Sequence, residues 1–168
     1  ATQAPTQTET QGATQAPTQK PTEAVTQAPV DPYKYTIDIS AGLVAGQTYG
    51  KEGIADITVL ADMPKSDATV SYTFDGVEYT NYIQGSDNPS PNKGKIPEKG
   101  AAFKIDAKTT GKVTFVLNQA ANKTYHFVKK NADGSATDMA SAKILETGAY
   151  TFDVEAGTTY YFYADGSK

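Results

Sequence analysis

From residue 31 onward, apolar and polar positions alternate with a period of two, and Gly, Asn or Asp clusters interrupt the alternation about every ten residues. Tyr35–Ile39 alternates cleanly, and Ile54–Leu60 follows it. Thr69–Phe74 and Val77–Ile83 flank Asp75-Gly76, a dipeptide that supplies the positive φ angles of a two-residue hairpin turn. Phe103–Ile105 is a short strand. Lys112–Leu117 sets Val113, Phe115 and Leu117 on one face, and Lys123–Lys129 sets Tyr125 and Phe127 opposite Thr124, His126 and Val128. A turn is expected at Asn131–Gly134. Tyr150–Val154 and Thr159–Tyr163, joined by Glu155-Ala-Gly157, read as a tight hairpin. Thr137–Leu145 has only a partial helical spacing and reads as loop or a single turn.

Short strands at this spacing predict an all-β fold, an antiparallel β-sandwich of jelly-roll-like type with eight or nine strands. The expected core is Ile37, Ile39, Ile57, Val59, Val70, Tyr72, Phe103, Ile105, Val113, Phe115, Leu117, Phe127, Phe152, Val154 and Phe162. The longest irregular stretch, Gly85–Gly100, holds Pro89, Pro91 and Pro97 and displays Lys93, Lys95 and Lys99. A long, stiffened, charged loop in a compact sandwich is the first place to look for function.

The first thirty residues have no such pattern. Ala1–Gln7 spells a heptad that recurs as Ala13–Gln19, with a degraded third copy at Val25–Pro29. A segment of Ala, Thr, Gln and Pro buries too little apolar surface to offset the entropy of ordering. It reads as a disordered Thr/Gln/Pro linker over residues 1–32, of the kind that carries O-glycans outside cells, ahead of one module over residues 33–168. A module on a spacer is expected to be tethered to a partner domain.

Composition narrows the chemistry. The chain has no Cys, Trp or Arg, so disulfides and thiolate metal sites are excluded, and no apolar run approaches a bilayer-spanning length. The net charge of −4 conceals an asymmetry: residues 86–130 carry nine Lys against Asp87, Glu98 and Asp106. Such a block is either a patch for an anionic partner, without general nucleic-acid affinity, or a set of lysines that solubilise loops and guard strand edges.

His126 is the sole histidine and reads as an ordinary sheet residue, so neither a catalytic triad nor a histidine metal cluster can be assembled. The nineteen acids lie mostly beside turns, where Asp and Glu are expected as turn formers. No phosphate loop or calcium-loop spacing occurs; a structural calcium is compatible with the fold but nothing calls for it, and no cofactor is indicated. Catalysis is not expected. Among the eleven tyrosines, Tyr72, Tyr79 and Tyr82 in the central hairpin region are candidates to stack on sugar faces, although tyrosine is also a favoured strand residue.

Several segments, in order and spacing, carry a family resemblance: Gly85-Ser-Asp-Asn-Pro89, Pro97-Glu-Lys-Gly-Ala-Ala-Phe103, Gly111-Lys-Val-Thr-Phe115, Ala156-Gly-Thr-Thr-Tyr-Tyr-Phe162 and Gly166-Ser-Lys168. Together, over Val44–Lys168, they resemble the pectin-binding carbohydrate-binding modules of the family 77 type, which are appended to pectate lyases and other pectin-degrading enzymes of gut and rumen clostridia. The resemblance implies a β-sandwich that binds homogalacturonan through lysines. It carries that role to Lys93 or Lys95, to Lys108 or Lys112 around the Thr109-Thr-Gly111 turn, and to Lys168. Relatives run on past such a Gly-Ser-Lys into a further strand, so an edge strand is expected to lie beyond Lys168.

The expectation is therefore a secreted or cell-surface bacterial module, monomeric and non-catalytic, that binds acidic polysaccharide and targets a covalently linked pectin-degrading domain, with no nucleic-acid or membrane partner. The alternatives are a neutral β-glycan (xyloglucan-like) module that uses tyrosines such as Tyr82, and a ligand-free structural or adhesive domain.

Overall fold

A computed structural model describes residues 34–166, all within the unit Pro32–Lys168. The linker, Lys168 and any strand after it lie outside the described residues. Ten strands form: β1 (Thr48–Lys51), β2 (Ala55–Val59), β3 (Tyr72–Phe74), β4 (Val77–Tyr79), β5 (Ala102–Ala107), β6 (Gly111–Leu117), β7 (Ala120–Lys130), β8 (Ala136–Ile144), β9 (Gly148–Val154) and β10 (Thr158–Ala164). Every pairing is antiparallel. A six-stranded sheet runs in the order β1-β2-β5-β10-β7-β8, and β3-β4 and β6-β9 form two-stranded ribbons.

The β6-β9 ribbon makes the second layer of an unequal sandwich. Alternation puts Ile57, Ile105 and Tyr160 in one inward row of the large sheet and Phe103, Phe162 and Phe127 in the next. Val113, Phe115, Leu117 and Phe152 of the ribbon pack onto them. Phe115 stacks on Phe162 with ring centroids 3.9 Å apart, and Phe127 stacks on Phe152 at 4.4 Å and on Tyr160 at 5.1 Å. Each such ring buries on the order of 150–250 Å² and adds about 0.5–1.5 kcal/mol through its aromatic neighbours. A satellite cluster of Leu43, Val59 and Met63 collects Ile37, Ile39, Tyr49 and Ile83.

The Asp75-Gly76 hairpin forms as expected, with φ of 50° and 75° at the two turn residues. Three expectations need correction. Tyr35–Ile39 joins no ladder: Ile37 and Ile39 do pack on the satellite cluster, but the Asp38 carboxylate caps the Ser40 amide at 2.8 Å and turns the chain. Thr137–Leu145 is no loop, because most of it is the edge strand β8. Its pairing steps from Phe127↔Ala140 to Val128↔Asp138, so Met139 is the extra residue of a bulge that breaks the period of two. Glu155–Gly157 does not close a hairpin. β9 pairs with β6 and β10 with β5 and β7, so this turn carries the chain between layers and sets Phe152 against Phe162 across the core.

Candidate functional site

Outward residues of the large sheet create the setting for the long loop. Ala102, Val128, Tyr161 and Tyr163 form a buried cluster on the face away from the β6-β9 ribbon, and Ile96 of Gly85–Gly100 packs onto it. Pro89 and Pro97 are also buried. The loop folds back on itself through Ser90, whose amide donates to the Lys99 carbonyl at 3.0 Å and whose carbonyl accepts from the Glu98 amide at 2.9 Å. Gly100 closes it at φ 90°, where a Cβ would lie 2.6 Å from the Pro89 nitrogen. Replacing Gly100 by Ala should cost about 2 kcal/mol or more, from left-handed strain plus the clash, read as a lower denaturant midpoint.

The loop's tip is held by polar groups from the sheet. The Tyr163 hydroxyl accepts a hydrogen bond from the Gly94 amide at 3.0 Å and donates to the Lys95 carbonyl at 2.8 Å. The Lys93 amide donates to Asp165 Oδ1 at 3.3 Å. Behind them lies His126, buried on β7, with Nδ1 2.8 Å from Asp138 Oδ2 and Nε2 3.1 Å from Asp165 Oδ2. Its ring stacks on Tyr163 at 5.3 Å.

Burial pushes the Tyr163 phenol up to about 12, assisted by the Asp165 and Asp138 carboxylates and opposed by its bonds to the loop backbone. The folded state thus keeps a proton that the unfolded chain loses near pH 10. The associated stability is complete below about pH 10 and is lost as pH rises toward about 12, up to roughly 3 kcal/mol. Tyr163→Phe should flatten this alkaline loss in denaturant titrations. At neutral pH the same variant should be less stable by about 1–3 kcal/mol, because the Gly94 amide loses its partner.

Lys93, Lys95 and Lys99 are exposed, and none forms an ion pair among the described residues. Lys93 holds a left-handed backbone with φ 57°, unusual for a residue with a side chain, followed by Gly94 at φ 77°. By contrast, Lys34, Lys104, Lys108, Lys112 and Lys129 each pair with a carboxylate. Lys104 and Thr159 both bond Asp106; burial pushes that carboxyl up, but the two hydrogen bonds and the charges of Lys104 and Lys108 together hold it below its usual range.

The expected site residues therefore separate. Lys93 and Lys95 share the loop tip. Lys108 bonds Asp56 at 2.6 Å and Lys112 bonds Asp153 at 2.6 Å, beside the Thr158 end of β10. The tip is anchored at the other end of that seven-residue strand, about 20 Å away. Tyr82 is half-buried and lines no part of the neighbouring 390 Å³ polar groove of Lys65–Thr69, Thr80 and Asn81. Among the described residues no cluster of His, Asp and Glu is placed to hold a metal ion.

The sequence reading missed the His126–Asp138–Asp165–Tyr163 cluster, whose members come from three strands and the segment after β10. Only His126 and Val128 facing away from Phe127 hinted that the outer face is covered. No protein-family model and no curated protein matches this chain.

Proposed function

We propose that the described domain is a non-catalytic carbohydrate-binding module for acidic plant polysaccharide, pectic homogalacturonan in particular, and that it holds a linked pectin-degrading domain at its substrate. The observation that carries this reading is the Lys93–Lys99 segment. Three exposed lysines without carboxylate partners among the described residues project from a loop whose backbone is already fixed to the sheet. A pre-ordered loop loses little further entropy when a ligand binds. Each exposed lysine contributes only about 0.2–1 kcal/mol to an ion contact, so a polymer with a charge on every unit suits three of them better than a small anion does. The tether adds effective concentration for the linked domain, and the setting is extracellular, where such polymers occur.

The tyrosine-based reading has less support. Tyr35 is the one aromatic ring among the exposed large apolar residues described, while Tyr72, Tyr79 and Tyr82 are half-buried. Affinity electrophoresis on polygalacturonate, highly methylated pectin and xyloglucan tests the proposal. Retardation should be strongest on polygalacturonate and weakest on xyloglucan; preference for xyloglucan would overturn it. Lys108→Ala and Lys112→Ala should each change retardation less than twofold, since both lysines are already neutralised and lie away from the loop tip.

A further inference from the structure

Two carboxylates connect His126 to the lysine loop. Asp165 accepts from the Lys93 amide with Oδ1 and meets His126 Nε2 with Oδ2. Asp138 meets His126 Nδ1 with Oδ2, and that same oxygen would lie 2.6 Å from a Cβ at Gly94, so the carboxylate packs directly against the loop. Tyr163, stacked on the imidazole, grips Gly94 and Lys95. All three routes from the ring end on Lys93-Gly94-Lys95.

The donor count gives this arrangement a chemical consequence. A neutral imidazole offers one N–H and one lone pair, and an ionised carboxylate only accepts. Contacts from both nitrogens to carboxylates are both attractive only in the imidazolium form. Removing one ring proton sets a lone pair against a carboxylate oxygen in a buried site, where such a mismatch is costly.

We propose that His126, in its doubly protonated form, is a positioning residue for the lysine loop, so that anionic-polysaccharide binding follows the protonation of this one histidine. The link to polysaccharide rests on the function proposed above; the link to the loop does not. The charged and titratable groups against the ring are Asp138 on β8, Asp165 after β10 and Tyr163 on β10; Lys93 and Lys95 of the loop meet this cluster through their backbone. Lys123 of β7 also reaches this region, with its Nζ against Gly166. Tyr163 stays neutral well above the range in which a histidine titrates.

Because the chain has a single histidine, its ring ¹⁵N signals are unambiguous. They are to be followed together with the protection of the Lys93 and Gly94 amides from hydrogen exchange, taken relative to the intrinsic exchange rate at each pH, and with polygalacturonate affinity, from about pH 5 to pH 9, where the polymer remains charged. Both nitrogens should carry protons at the acid end. As one proton is lost, protection at Lys93 and Gly94 should fall about tenfold and affinity should fall about threefold. The Asp138→Asn/Asp165→Asn double variant keeps an acceptor at each position and removes both charges; it should show both readouts flat with pH. Loop protection that ignores the ring's protonation, or a double variant with the wild-type pH profile, would overturn the proposal. If protection tracks the histidine but polygalacturonate does not bind at any pH, the positioning role stands and the polysaccharide reading fails.

Discussion

Replacing Lys93 and Lys95 together by Ala is expected to weaken binding to polygalacturonate about fivefold, with the unfolding midpoint unchanged. Both side chains are exposed and engage no described carboxylate, so their removal breaks no side-chain hydrogen bond or ion pair among the described residues. The loop keeps its shape because its anchors are backbone groups: the amides of Lys93 and Gly94 and the carbonyl of Lys95. Two exposed ion contacts at about 0.2–1 kcal/mol each give an effect of this size. The double variant should also show a shallower dependence of affinity on salt, since fewer charges are matched. Calorimetry on polygalacturonate reads both quantities. An undiminished affinity would remove the loop tip from the binding surface.

The largest effect on stability is expected at Phe127. Its ring is 1% exposed and lies between Phe152 and Tyr160, with centroids at 4.4 and 5.1 Å and near-parallel planes. Phe127→Ala removes contacts to both layers of the sandwich at once and leaves a cavity that flanking strands cannot close without breaking ladder pairs. A cost of about 3–5 kcal/mol follows. Against a typical total of about 5–15 kcal/mol, that places the variant near the limit of folding at physiological temperature. Chemical denaturation gives the number. A cost below about 1 kcal/mol would mean that the core is not assembled around this ring.

Period-two alternation made most of the fold legible before any coordinates. It identified β2, β5, β6, β7, β9 and β10 and the Asp75-Gly76 hairpin, because each of those strands buries large residues on at least one face. β8 escaped because this edge strand turns only Ala140 and, at its very end, Ile144 toward the core, and because the Met139 bulge shifts the period partway along. The Glu155–Gly157 turn was misread because alternation says which face a residue takes but not which strand lies beside it.

The site was half legible. Prolines and lysines marked the Gly85–Gly100 loop from composition alone. The groups that hold it were hidden: Asp138 and Asp165 look like turn formers in sequence, and His126 looks like filler in a strand. Only the strand order, which seats β10 between β5 and β7 and β8 beside β7, brings these residues together. Charge counting also could not separate Lys93 and Lys95 from Lys108 and Lys112, since the neutralising partners Asp56 and Asp153 are remote in sequence.

The central claim is that lysine charge on the fixed loop recognises the carboxylates of an acidic polysaccharide. Calorimetric titration of the wild-type chain with polygalacturonate at low and high ionic strength tests it most directly. Measurable binding at low salt that weakens at least about tenfold near 0.5 M salt, where the screening length falls to roughly 4 Å, is the predicted result. Binding of equal strength at both ionic strengths, or no binding at low salt, would contradict it.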